Sequence, residues 1–199
     1  MEQIDRRDLI LDTFTQLVSR FGIDKTTIQD VAKELGFSSG VIYQEFRNKE
    51  ALIEACFLRL SRSFIQNCLR TVDSSLPADQ VLYLFIKQIL MQMNKFIIEN
   101  RGFSQYVRGE AFLGCYRNEN GVQAGFKQEL LAIIISILEK GCSQGAFQIE
   151  SLPKTAELFF DAFYIFFVRL ILADQDLEQN LEDTRLMYEL LLKGIIAKR

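Results

Sequence analysis

The sequence predicts an all-α protein: a small N-terminal three-helix unit joined to a larger helical domain. Only 2 prolines and 11 glycines interrupt 199 residues, which favours long helices over strands and turns. Apolar residues recur at three- and four-residue spacing along most of the chain, the period of a helix with one buried face. Hydrophobic residues make up 49% of the chain, enough to bury a sizeable core. The spacing marks about nine helices. Aliphatic and aromatic density rises near residue 48, so the expected division is residues 1–48 and 49–199.

The first expected helix covers about 5–21, with Leu9, Ile10, Phe14, Leu17, Val18 and Phe21 in helical register, and Gly22 ends it. The second covers about 28–35. Thr27 is placed to cap it, with Asp30 near the positive end of its dipole, and Thr26 with Gln29 is the alternative capping pair. Ser38 is expected to cap a short third helix over about 39–46, and Asn48 a long fourth over about 49–73. Ser74, Ser75 and Pro77 break the chain before a fifth helix at about 78–99. A short sixth is expected at about 103–113, and the polar run from Arg117 to Gly121 reads as a loop. The seventh covers about 122–142 and is closed by Gly141 and Gly145. Pro153 begins an eighth, about 153–174, that Asp174 to Asp176 ends. A ninth, about 181–197, carries Leu186, Leu190, Leu191, Ile195 and Ile196 on one side.

Charge and reactive residues narrow the chemistry. The formal net charge is −3, so any contact with a polyanion must come from local geometry. Histidine is absent, which removes the commonest general base and metal ligand. Cys56, Cys68, Cys115 and Cys142 are scattered and form no metal or redox pair. No catalytic residue, metal or cofactor is expected, and an all-helical enzyme has no nucleophile motif or phosphate loop to support it. The polar opening residues are no export signal, and scattered thiols fit a reducing cytoplasm. The run from Leu158 to Ala173 could be mistaken for a membrane span. It is shorter than the ~20 residues a span needs, and Asp161 and Arg169 interrupt it. It reads as a helix buried inside a dimer, with no membrane partner.

The informative stretch runs from Thr26 to Leu52. Ala32 is small where two helices must approach, and Gly36 stands at a turn that needs positive φ. Val31, Leu35, Phe37, Val41, Ile42 and Phe46 are placed to form a shared core. Two short capped helices joined by a three- to four-residue turn make a helix-turn-helix, whose second helix enters the DNA major groove.

This stretch resembles the TetR family of regulators. The residues that carry the likeness are Thr26 and Thr27, Val31 and Ala32, Gly36-Phe37-Ser38, Gly40, Tyr43, Phe46, Lys49 and Leu52, in order and spacing over about 27 residues. Gly145-Ala-Phe147 before two final apolar helices is also similar. The resemblance implies a ligand-responsive regulator, usually a repressor, that binds palindromic double-stranded operator DNA as a homodimer. It implies phosphate contacts from Thr27, Tyr43 and Lys49, with backbone amides at the starts of the second and third helices adding to them. Gln29, Ser39, Val41 and Gln44 would face base edges, Gly40 would allow close approach, and Ser38 lies on the same surface. Glu45 departs from the pattern. It is expected to point away and pair with Arg47 or Lys49, the alternative being acceptance from a cytosine amino group.

Residues 1–49 carry seven Lys/Arg and eight Asp/Glu. Lys25, Lys33, Arg47 and Lys49 would therefore cluster on the DNA side, with Asp5, Asp8 and Asp12 opposite. The competing reading is a helical interaction protein whose helix-turn-helix no longer binds DNA. The chain carries 17 phenylalanines, concentrated after residue 56, and they point to an apolar interior in the second domain. Most are core, but together they suggest a pocket for a hydrophobic or amphipathic organic effector. The expected pocket residues are Phe64, Phe103, Phe112, Phe163 and Phe167, with Tyr106, Tyr164 and Arg169 as polar groups. Arg169 has no evident acidic neighbour one turn away and would suit an anionic or carbonyl-bearing ligand.

Overall fold

The structure, a computed structural model, describes residues 5–99, Gly102, 122–172 and 176–196. Among these are eight α-helices: α1 Arg6–Phe21, α2 Ile28–Leu35, α3 Ser39–Glu45, α4 Lys49–Arg70, α5 Ala78–Glu99, α6 Val122–Ser143, α7 Leu152–Leu172 and α8 Leu177–Ile195. Each matches an expected helix. The expected helix at 103–113 lies outside the described residues. The last helix begins four residues earlier than its apolar pattern, because Asp176 caps it by accepting from the Glu178 N–H.

The first three helices form one apolar core. Ile10, Phe14, Leu17 and Val18 of α1 meet Ile28, Val31 and Ala32 of α2, and Ile42 and Phe46 of α3. The core runs on into α4 through Leu52, Ile53 and Cys56. A second core lies between α4, α5, α6, α7 and α8. Ile65 and Cys68 meet Leu82, Phe85 and Leu90, then Leu130, Ile134 and Leu138, then Phe159, Phe163, Phe166 and Tyr188. Phe96 of α5 packs against the first core from the second domain.

By length and composition α5 could cross a membrane, but its buried face packs as the central helix of the second core. Residues 158–172 of the apolar run at 158–173 form the C-terminal part of α7. It buries Phe159, Phe163, Phe166, Leu170 and Ile171 and leaves Leu158 and Ile165 exposed.

The apolar stripe of α8 divides into two faces. Leu191, Leu192 and Ile195 pack against the second core, whereas Leu186 and Leu190 stay exposed. The α7–α8 hairpin is fastened by polar groups. Asn180 is fully buried and its Nδ2 donates to the Phe166 carbonyl at 2.8 Å. Its Oδ1 has no partner among the described residues. Arg169 of α7 pairs with Asp183 of α8 at 2.9 Å and lies 5.2 Å from the Phe166 ring centre.

Cys56, Cys68 and Cys142 are unpaired thiols. Burial pushes Cys56 up to about 11 and Cys68 up to about 12, because a thiolate is poorly solvated in an apolar core.

Candidate functional site

Two features stand out: a polar surface formed by α2 and α3, and an apolar cavity in the second domain. The surface depends on how the two short helices are held. α2 is closed at its start by a capping box. Thr27 Oγ1 accepts from the Asp30 N–H, and the Thr27 N–H donates to Asp30 Oδ2 at 2.9 Å. Asp30, not the Thr26–Gln29 pair, completes the cap. Thr26 is buried instead, its hydroxyl donating to the Gly22 carbonyl at 2.9 Å. Gly36 then turns the chain at φ 67°, a left-handed conformation that suits glycine. α3 follows with little support of its own, since Ser38 makes no side-chain capping bond. Ser38 holds the expected N-cap position, but its hydroxyl does not make the capping bond.

Every residue expected on the DNA side reaches the surface. Thr27, Gln29, Ser38, Gly40, Tyr43 and Gln44 are exposed, and Ser39, Val41 and Lys49 are half-buried. Val41, expected in the shared core as well, lies outside the buried cluster. Tyr43 is 48% exposed on the same short helix that buries Ile42 completely.

Two expected roles meet competition within the chain. The Thr27 hydroxyl donates to Asp30 Oδ2 at 2.7 Å, so its proton is already engaged. Lys49 Nζ lies 3.4 Å from the Asp24 carbonyl. Glu45 forms no ion pair with Arg47 or Lys49 among the described residues. Instead its backbone carbonyl accepts from Arg7 Nη1 at 3.0 Å. Asp8 and Asp12 are turned to α4, where Arg59 pairs with Asp12 at 2.7 Å and Asp8 at 3.8 Å.

The cavity holds about 110 Å³. α4 contributes Phe57, Leu60, Ser61 and Phe64, and α5 contributes residues from Ile86 to Phe96. Phe126, Leu130 and Ile134 come from α6, and Phe159, Phe160, Phe163, Tyr164, Phe167 and Ile171 from α7. Ser61 and Tyr164 are its polar lining residues. Rings dominate the wall: Phe64 meets Phe126 edge-on at 5.8 Å, and Tyr164 stacks between Phe160 and Phe167.

Phe64, Phe163, Tyr164 and Phe167 therefore line the cavity as expected. Arg169 does not, because its guanidinium is used by Asp183 fourteen residues away on α8. A partner on another helix was invisible to a search one turn along the chain. Phe103, Tyr106 and Phe112 lie outside the described residues. The aliphatic contributions of α5 and α6, such as Ile89, Met93, Leu130 and Ile134, were not singled out, since a cavity-lining apolar residue has the same helical spacing as a packed one. Among the described residues no group of three His, Cys, Asp or Glu could hold a metal ion.

Residues 10–56 match the family of bacterial regulatory proteins, tetR family. The HTH-type transcriptional regulator YhgD of Bacillus subtilis is 29% identical over 143 residues, 72% of each chain. YfiR of the same organism is 28% identical over 164 residues, 80% of this chain and 78% of YfiR. The fold matches the transcriptional regulator FadR from Bacillus subtilis, solved in complex with stearoyl-CoA. The TM-score is 0.69 with 19% identity, over 94% of this chain and 98% of that one.

The capping box yields a prediction about acid stability. The Thr27 hydroxyl, then the Thr27 N–H, hold the Asp30 carboxyl below its usual range. A carboxyl depressed by folding stabilises above its unfolded range, near pH 4, and that stability is lost as pH falls through the folded value. Thr27→Ala should destabilise the first three helices by about 0.5–2 kcal/mol near neutral pH. Asp30→Asn should flatten their acid unfolding limb, followed by circular dichroism against pH. An acid limb unchanged in Asp30→Asn would show that this cap does not contribute.

Proposed function

We propose that this chain, whose residues 10–56 match the tetR family of bacterial regulatory proteins, is a DNA-binding transcription regulator that acts as a dimeric repressor released from a two-fold operator by an apolar organic effector. The observation that carries this reading is α4. Its first turns complete the core of the reader through Leu52, Ile53 and Cys56. Its next turns wall the cavity through Phe57, Leu60, Ser61 and Phe64. An occupant that needs a different cavity wall must bind better to a different placement of the reader. Such differential affinity is the only means by which a ligand moves an equilibrium.

In this reading α3 enters the major groove. Tyr43, Lys49 and Thr27 contact phosphates, with Lys49 leaving the Asp24 carbonyl and Thr27 using whatever its cap leaves free. Gln29, Ser39, Val41 and Gln44 face base edges, and Ser38 and Gly40 let the backbone come close. The effector is apolar because the wall is apolar, with the Ser61 and Tyr164 hydroxyls as polar handles. A charged head has no support from Arg169, which Asp183 holds.

The dimer face is formed by α7 and α8. Leu158 and Ile165 lie two turns apart on α7, and Leu186 and Leu190 one turn apart on α8, from 46% to 64% exposed. A two-fold axis beside this face would pair each helix hairpin with its copy, an isologous four-helix contact.

Four outcomes are expected. In footprints on selected duplexes the half-site centres should lie about one helical turn apart, or a multiple of it. Tyr43→Phe and Lys49→Ala should weaken all duplexes alike. Gln44→Ala should instead change base preference, by about 1–3 kcal/mol at one position. Sedimentation should show Leu190→Asp as a monomer that no longer protects both half-sites, and a DNA-competent Leu190→Asp dimer would remove α8 from the interface. Long-chain alcohols and polycyclic hydrocarbons, titrated against the protein–operator complex by fluorescence anisotropy, should release DNA. Ile134→Trp, which fills the cavity, should abolish that response, and an undiminished response would place the effector elsewhere.

A further inference from the structure

We infer that Arg7 is a positioning residue of the recognition helix: its guanidinium closes the C-terminal end of α3 and fixes the presentation of Tyr43 and Gln44. The inference rests on the reading of α3 as the DNA-facing helix. It starts from what α3 lacks. The helix has 7 residues, too few to persist on local propensity. Its N-cap serine makes no side-chain bond, no basic residue stands in its last turn, and it ends on Phe46 in extended conformation without a glycine cap. The carbonyls of its last turn thus carry the negative end of the helix dipole with no cation from their own segment.

Arg7 supplies both missing elements from thirty-eight residues away. Nη1 donates to the Glu45 carbonyl, the last residue of α3, at 3.0 Å. The guanidinium carbon sits 4.3 Å from the centre of the Phe46 ring. That ring is 2% exposed and belongs to the first core, so it is a fixed platform. Arg7 is fixed in turn, because its N–H donates to Asp5 Oδ1 at 3.1 Å in the capped first turn of α1. A planar fork that donates and stacks at once is a property of arginine that lysine shares only in charge and reach. With this end held, Tyr43 and Gln44, two and one residues before Glu45, project from a helix of defined orientation.

The test compares Arg7→Ala and Arg7→Lys with the full-length wild type, using a duplex selected from random sequence. Arg7→Ala should bind that duplex about tenfold more weakly and discriminate less at the base pairs read by α3. Its salt slope should be unchanged, and Arg7→Lys should restore most of the loss. Hydrogen exchange without DNA should show faster exchange at the amides of Ile42 to Phe46 in Arg7→Ala, with the second core unaffected. A salt slope reduced by about one with base preference intact would make Arg7 a phosphate ligand and overturn the inference. Unchanged affinity and preference would overturn it too. If Arg7→Ala does not fold, Arg7→Gln takes its place, since it keeps much of the side chain's apolar stem without the cation: faster exchange at Ile42 to Phe46 with reduced discrimination supports the inference, and wild-type exchange and discrimination overturn it. A wild type that binds no duplex defeats the DNA-binding reading, whereas unaltered exchange in Arg7→Ala defeats the role of Arg7.

Discussion

The structure depends on α4 being one unbroken helix shared by two cores. Its 22 residues span about 33 Å. Leu52, Ile53 and Cys56 are buried among α1 to α3, and Ile65 and Cys68 among α5 to α8. Asn48 fixes its start by accepting from the Ala51 N–H at 2.8 Å. Arg59 ties its middle to Asp12 and Asp8 of α1. The pair is partly exposed and contributes little to stability, on the order of 1 kcal/mol or less. Its value is geometric: α1 and α4 cannot slide past one another without breaking it. The start of α4 is thus packed into the three-helix unit as part of its core.

The charge balance of the first unit makes sense on this frame. Its carboxylates nearly equal its cations in number, but they are not placed at random. Asp8 and Asp12 are consumed by Arg59, and Asp30 by the cap of α2. Asp5 caps α1. α2 and α3 present Gln29, Lys33, Ser39, Tyr43 and Gln44, with Glu34 and Glu45 their acids not used in this way. A net charge near neutral is thus compatible with a polyanion partner when about half of the acids are spent on helix ends and on a neighbouring helix.

How much of this could be read from the sequence follows from the range of each interaction. Features set within four residues were legible: the Thr27 and Asn48 caps, the left-handed turn at Gly36, the buried Val31, Ala32, Ile42 and Phe46. So was the exposure of Tyr43 and Gln44, since the helical period fixes which positions share a face. Features that pair distant segments were not. Arg169 appeared unpartnered because Asp183 is on the next helix, and Arg7 carried no signal because Glu45 offers it a backbone atom that every residue has. The cavity was half legible. Phe64, Phe163, Tyr164 and Phe167 stood out as aromatics, while Ile86, Ile89 and Met93 are chemically the same as core residues, and only the packing of four helices leaves space beside them.

The two thiols of α4 have a consequence for experiment. Cys56 lies in one core and Cys68 in the other, both with no exposed surface. Both are held as thiols well above neutral pH, so neither can attack an alkylating reagent until its surroundings open. Each is thus a built-in clock on one half of the molecule. The alkylation rate at Cys56 counts openings of the three-helix unit, and that at Cys68 counts openings of the second core. Peptide mapping of a single labelled sample would read the two clocks at once, and their ratio would say whether the halves breathe independently or as one body.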